Sequence, residues 1–367
     1  WVPPQFDPGA GTTAGDLFQS RLDEFTSRRP QTGISVRVKE LTGENGLLQS
    51  LRITASAAPI ITPDLIALPR PMMEQAYQEG LILPITYLSE TFQNEDWFNY
   101  AVELSQINDQ LMGLPFGGEL MVLAYKNDSG EAPPPDWNSV LAIQKPLAFP
   151  ASDPQSLVTL ALYQSLEGVL LDQSGQSSIT AGPLLEVLNY YRSAQAANVM
   201  PYWLTQFETD LQAWDSYQQR QSTLALTWSS TILNAESPNT SLAPMPTKEG
   251  RAYSYASGWV WCLIPSDAEG ERLAVELAEF LTAEPYVTDW GLQAGYLPIS
   301  GSGLESWAER PSYQTLQQLL PVAVLTPEQA ILDEVGPPVR EAVVAVLKDQ
   351  IDPETALETL LSELQSP

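Results

Sequence analysis

The side chains that carry most enzyme chemistry are scarce in this chain. Its 367 residues include no histidine and one cysteine, Cys262. Without histidine there is no Ser-His-Asp triad, no Cys-His pair, no zinc-binding H-E-x-x-H helix and no histidine general base. One cysteine cannot close a disulfide within the chain or fill a multi-cysteine metal site. Cys262 lies in the run Trp259-Val260-Trp261-Cys262-Leu263-Ile264, where a thiol reads as a small buried hydrophobe. No cofactor or metal motif is present. The remaining chemistry belongs to 45 acidic residues, ten tryptophans and 14 tyrosines. Two carboxylates could hydrolyse a glycoside, but no local motif ranks any pair of acids above another. Aromatic faces suit binding: they match the C–H faces of sugar rings, and they also attract organic cations.

Charge narrows the partners. Seventeen basic residues against 45 acidic ones give a net charge of −28, so the basic footprint of a nucleic-acid binder is missing. The acidity reads as a solvated surface. No apolar run approaches the ~20 residues of a membrane span, and 44% apolar residues supply cores for two lobes.

The elements that must position these residues alternate from the start. Leu17, Phe18, Leu22 and Phe25 predict a helix over Asp16–Arg28. Ile34, Val36 and Val38 alternate with polar residues as in a strand. A helix over Leu47–Ala57, a strand at Asp64–Leu68 and a helix over Pro71–Glu79 follow. This β-α-β-α-β order predicts parallel strands with helices on the faces, and ligand loops at the strands' carboxyl ends. Those ends are Pro3–Gln5, Glu40–Thr42 and Pro69–Arg70. Two strands, Gln110–Phe116 and Leu120–Tyr125, are expected around Gly117, Gly118 and Glu119, where the glycines allow unusual dihedrals and the chain crosses between lobes. The proline-rich Gly130–Pro135 reads as an extended loop. The second lobe repeats the logic: a strand at Pro146–Phe149, helices over Leu157–Leu166, Leu184–Ala197 and Leu211–Gln218, and strands at Thr223–Trp228 and Ser241–Met245. Near Ala256-Ser257-Gly258 the chain returns through a strand, Trp259–Ile264, to the helix Ala268–Leu281. Asp352 and Pro353 cap a closing helix with Leu357, Leu360, Leu361 and Leu364 on one face.

Five stretches in this order carry a resemblance. Leu111-Met112-Gly113-Leu114-Pro115-Phe116, Gly258-Trp259 with Ile264-Pro265, Ala274–Leu281 with Ala283-Glu284-Pro285, Gly295-Tyr296-Leu297-Pro298, and Asp352-Pro353-Glu354-Thr355-Ala356-Leu357 are similar to segments of the family 1 extracellular solute-binding proteins of ABC importers. That group includes sugar-binding proteins. The resemblance implies a two-lobed α/β fold of the periplasmic-binding-protein type II kind, each lobe a mainly parallel sheet flanked by helices, joined by crossing hinge segments. Lobe 1 is expected at 1–117 and 256–302, lobe 2 at 118–255 and 303–367. It also implies a monomeric, non-catalytic subunit outside the cytoplasm that closes on a small solute and delivers it to a membrane permease. A secreted or lipid-anchored precursor, with residues ahead of Trp1, is expected. The expected solute is a sugar or oligosaccharide; a cationic solute such as a polyamine and a carboxylate-based glycoside hydrolase are the alternatives.

Position then selects the candidate ligand residues. Trp228 ends a second-lobe strand, and Trp259 follows the returning Gly258; each is a cleft wall or a core residue. Trp1 and Tyr296 are candidates on the same grounds. Arg70 is the basic residue at a first-lobe strand end, able to fork onto a carboxylate or two hydroxyls, or to pair with a neighbouring acid. Glu119 follows the crossing glycines and is a ligand acceptor or a solvated charge. Gln5 and Glu40 complete the set. The loop Ala151-Ser152-Asp153 is a further lining candidate.

Overall fold

The computed structural model describes residues 1–58, 61–89, 96–127, 130, 132–172, 174–235, 237 and 239–364. Within the expected loop Gly130–Pro135, Glu131 lies outside the described residues. The chain divides into two compact units, one of Trp1–Glu119 and Ala256–Tyr313, the other of Leu120–Tyr255 and Gln314–Pro367.

In unit 1 the helix Thr13–Arg28 starts where the Thr12 hydroxyl accepts the Gly15 N–H. Phe18, Leu22 and Phe25 recur at helical spacing and are buried. Phe18 meets the ring of Trp261 at 6.0 Å. Val2 bridges Val38 in parallel, and Trp1 bonds to Leu65 and Ala67 on its other side. Leu65–Pro69 then pairs antiparallel with Tyr255–Leu263, in register from Leu65↔Leu263 to Pro69↔Trp259. In unit 2, Leu147–Ala148 runs parallel to Leu224–Trp228, which pairs antiparallel with Leu114–Lys126. Thr240–Ala243 pairs with the same long strand, also antiparallel. The parallel arrangement expected from alternating strands and helices is seen in the bridge Val2↔Val38 of unit 1 and in the pair Leu147–Ala148 with Leu224–Trp228 of unit 2, but not at Thr240–Ala243. The strands that carry the chain from unit to unit arrive without a crossover helix and run antiparallel to their neighbours.

One expected break is absent. Gln110–Phe116 and Leu120–Tyr125 are not two strands: Leu114–Lys126 runs continuously through both glycines. Neither glycine has a positive φ. Their small size is what matters. A Cβ on Gly118 would sit 2.1 Å from the Tyr100 hydroxyl oxygen, and one on Gly117 would sit 3.0 Å from Tyr296 Cβ.

Unit 2 is capped by the helices Gln329–Leu347 and Pro353–Leu364, which pack on each other and on Ala181–Ala196. Among the described residues no helix is long and apolar enough to cross a membrane.

Candidate functional site

The carboxyl ends of the parallel pair in unit 2 open onto a hollow of about 260 Å³. Trp228, the last residue of its strand, is half-buried there, and Ser229 begins a helix immediately after it. The buried Ser229 hydroxyl accepts the Leu120 N–H at 3.0 Å, which fixes the point where strand becomes helix. Pro150, Asp153 and Gln155 come from the loop after the neighbouring strand, and Leu157 opens the helix that follows it. The third wall is Glu208, Thr209 and Asp210 at the start of the helix Asp210–Gln218. Thr209 and Gln212 form a reciprocal capping box, so this helix start is rigidly defined.

Two carboxylates dominate the electrostatics of the hollow. Asp153 accepts backbone N–H groups from Gln155 (3.0 Å) and Leu157 (2.9 Å). Asp210 accepts the Thr227 hydroxyl at 3.3 Å. Burial raises the proton affinity of both above the ordinary carboxylate range; for Asp153 the nearby charge of Asp210 adds to the same direction. No lysine or arginine lines the hollow among the described residues. The site can therefore stack a ring on an indole face and accept hydrogen bonds from hydroxyls or an ammonium group. Among the described residues no group of three or more His, Cys, Asp or Glu side chains is arranged to hold a metal ion.

The first-unit candidates separate into two groups. Tyr296, Trp259, Gln5 and Glu119 come together. The Trp259 indole and the Gln5 side chain lie beside the Tyr296 hydroxyl and act to lower its proton affinity, with Glu119's charge nearby acting in the opposite direction. Burial, and after it that charge, push the phenol's proton affinity up. Gln5 is exposed and Glu119 half-buried, so this group reaches the surface of unit 1. Trp259 itself is 5% exposed and packs edge-on to Phe6 at 4.8 Å, in a cluster with Phe116, Trp290 and Tyr296. It is core first.

Trp1, Arg70 and Glu40 are not part of that group. Trp1 is buried and lines a separate hollow with Phe18, Leu22 and Phe25. Arg70 is committed to the fold. Its Nε donates to Glu74 at 2.6 Å, and its Nη1 donates to the carbonyls of Glu103 (2.7 Å) and Gln106 (2.5 Å). It is 6% exposed and pairs with Glu74, so of the two readings of Arg70 the structure shows the pairing with a neighbouring acid and corrects the ligand fork. Glu40 is exposed and its backbone carbonyl accepts Leu47 N–H ahead of the helix Leu47–Ala57.

Asp210 and Thr227 were not singled out from the sequence. The visible signal was the Thr209-x-x-Gln212 pattern, which marks a helix start one turn from the end of a strand-bound loop.

A two-unit α/β fold with a ligand-sized hollow at parallel strand ends defines a binding protein of the periplasmic-binding-protein fold. Residues 20–315 match the bacterial extracellular solute-binding protein family, and the chain belongs to it. It is a solute-binding protein, not an enzyme. Solved structures agree in fold. The sugar-binding protein MalE from Xanthomonas citri aligns with a TM-score of 0.79 at 16% identity, covering 96% of this chain and 94% of that one. Maltose-bound MalE3 of T. maritima aligns at 0.75 and 19% identity, covering 99% and 98%. The Listeria monocytogenes ABC substrate-binding protein Lmo0181, in complex with cycloalternan, aligns at 0.74 and 13% identity, covering 99% and 96%. No curated protein matches the chain in sequence.

Proposed function

We propose that this protein is the capturing subunit of a bacterial ABC importer, that its solute is a sugar or short oligosaccharide, and that it delivers the solute to a membrane permease from outside the cytoplasm. The observation that carries this reading is the half-buried indole of Trp228 beside Asp153 and Asp210 in one hollow. A stacking face next to fixed acceptors is what a hydroxyl-rich ring requires. The hollow, about 260 Å³, falls just under the ~300–1,000 Å³ of drug-sized sites and suits one sugar ring, with any further rings outside it. In unit 1, Gln5, Glu119 and the Tyr296 hydroxyl form a second group of candidate ligand contacts. The maltose and cycloalternan named with the neighbouring structures support a carbohydrate.

The test is calorimetry of the full chain against neutral mono- and oligosaccharides, maltose to maltotetraose included. Binding of at least one with tryptophan fluorescence changing in step is the expected result. Silence across the panel from folded protein overturns it.

The three carboxylates of the hollow, Asp153, Glu208 and Asp210, with no basic side chain among its lining, favour a second reading in which the solute is a cation such as a polyamine. Salt separates the two. Binding of a polyamine would weaken steeply as ionic strength rises, and binding of a neutral sugar would barely change.

A further inference from the structure

The wall of the hollow that carries Asp153 does not stand by itself. It is a turn, Ser152 to Leu157, between the strand Leu147–Ala148 and the helix Leu157–Gln164. Its first residue is tied on one flank: Ser152 donates its N–H to Phe207 O at 2.9 Å and its hydroxyl to Thr205 O at 2.7 Å. Its other flank rests on the helix Gln329–Leu347, more than 170 residues further along the chain.

That contact is unusually close. Gly336 is buried within the helix, and a Cβ added there would lie 2.5 Å from Pro154 O and 2.8 Å from Gln155 Cα. Both are backbone atoms, so the turn can occupy its place only over a residue without a side chain. Two hydrogen bonds hold it there. The Ser156 hydroxyl donates to Gly336 O at 2.9 Å, and the Gln155 side chain donates to Gln329 Oε1 at 2.9 Å. Ser156 is itself held at φ +53°, in the left-handed region where residues with a Cβ are uncommon. The surroundings over-determine that conformation. Gly336 is followed by Pro337 and Pro338 inside the helix. Neither proline has an N–H to give to the preceding turn.

The turn in this conformation is what aims the Asp153 carboxylate. Its two oxygens accept Gln155 N–H and Leu157 N–H from the same turn. A shift of the Pro154–Ser156 backbone therefore moves the carboxylate and the wall together.

We propose that Gly336 and Gln329 are positioning residues of the solute hollow: they touch no solute, but seat the Asp153 turn and so set the geometry with which Asp153 meets it. This rests on the reading of the hollow as the solute site. A displacement of about 1 Å in a supporting shell is enough to degrade a binding constellation.

The experiment uses the full chain and has two readouts. One is the affinity for maltotriose by calorimetry. The other, which needs no ligand, is the titration of the Asp153 carboxyl carbon followed by NMR. Gly336→Ala is expected to lower maltotriose affinity at least tenfold and to move the Asp153 titration away from its wild-type position. In an Asp153→Asn background the affinity effect of Gly336→Ala should largely disappear, because the residue acts through that carboxylate. A general loss of stability would instead add to the Asp153→Asn effect and leave the titration of the folded protein in place. If Gly336→Ala does not fold, Gln329→Ala and Ser156→Ala decide the matter. Each removes one tie and adds no atom, and each should shift the Asp153 titration and weaken maltotriose about threefold or more. Unchanged titration and unchanged affinity in folded variants overturn the proposal. If wild-type protein binds no sugar at all, the sugar reading fails by itself, and the Asp153 titration in the variants still decides the positioning role.

Discussion

Trp228 and Trp259 stand at comparable places in the chain. Each was read from the sequence as the end of an apolar strand, next to a glycine or serines, and each was a candidate ligand wall; only Trp228 ends its strand, whereas Trp259 lies in the middle of Tyr255–Leu263. In unit 2, Trp228 follows four buried strand residues, stays half-buried, and faces a hollow lined by the three carboxylates of Asp153, Glu208 and Asp210. In unit 1, Trp259 sits opposite Pro69 in the middle of the returning antiparallel strand Tyr255–Leu263 and is enclosed by aromatic rings. The direction of the strand accounts for the difference. Leu224–Trp228 runs parallel to its neighbour Leu147–Ala148, so Trp228 lies where both strands deliver loops. Trp259 belongs to a strand antiparallel to Leu65–Pro69, and its ring is covered by Phe6 from the segment after Val2. An aromatic near a strand end is open to a ligand only where the neighbouring chain leaves room above it.

The largest test of this contrast is Trp259→Ala. It would remove a 5% exposed ring from a cluster in which Phe6 approaches at 4.8 Å. Loss of a packed tryptophan costs about 3–5 kcal/mol. Urea unfolding should show the loss in full. A change under about 1 kcal/mol would mean that Trp259 is a surface residue, and the two tryptophans would then be alike.

Trp228→Ala should give the reverse balance, a smaller change in stability and a larger one in binding. A half-buried ring contributes less to packing, so its removal should cost under about 2 kcal/mol. Sugar affinity should fall roughly tenfold to a hundredfold, which corresponds to about 1.4–2.8 kcal/mol of lost stacking and exclusion of water. Calorimetry on the variant reads this directly. Unchanged affinity for a sugar that the wild-type protein binds would remove Trp228 from the site and move attention to Gln5, Glu119 and Tyr296.

The same contrast separates what was legible in the sequence from what was not. Elements whose signals are local came through. The helix Thr13–Arg28 follows from the spacing of Phe18, Leu22 and Phe25, and the closing helix follows from Asp352, whose carboxylate accepts the Thr355 N–H at 2.8 Å. Trp228 was placed at its strand end by the same kind of pattern. Failures came where the deciding contact is distant in sequence. Gly117 and Gly118 read as a break, but their role is to let Tyr296 and Tyr100 come close. Arg70 read as a ligand fork or as the partner of a neighbouring acid; it pairs with Glu74, and what the sequence did not show is that carbonyls more than 30 residues away also take up its guanidinium. Asp210 joins Asp153 only because the helix Asp210–Gln218 and the Asp153 turn meet across a strand end. Nothing in the spacing of the two aspartates announces that meeting.

The smallest effect concerns those aspartates and depends on pH. Asp153 and Asp210 have folded-state proton affinities raised by burial, so the folded protein holds these protons more tightly than the unfolded chain does. Their contribution to stability is therefore fully present below the ordinary carboxylate range and is lost as pH rises through the raised folded value. Where both carboxylates are ionised their desolvated charges lie close enough for that of Asp210 to raise the proton affinity of Asp153, at some cost to the fold. Asp210→Asn keeps an oxygen for the Thr227 hydroxyl and removes one of those charges. The variant should be more stable than wild type at pH 7, and the gap should close as pH falls to about 4. Unit 1 supplies the opposite case. Asp96 has its proton affinity lowered by hydrogen bonds from the Ser302 hydroxyl and N–H, so its contribution is present above the ordinary carboxylate value and lost on acidification. Asp96→Asn should accordingly be less stable than wild type at pH 7, with that gap also closing in acid. Denaturant midpoints from pH 7 down to about pH 2 read both variants, the Asp96 gap closing only below the ordinary carboxylate value. If Asp210→Asn is less stable than wild type at pH 7, its carboxylate is a structural acceptor like Asp96, and the hollow of unit 2 loses the excess negative charge that would make it receptive to hydroxyls or an ammonium group.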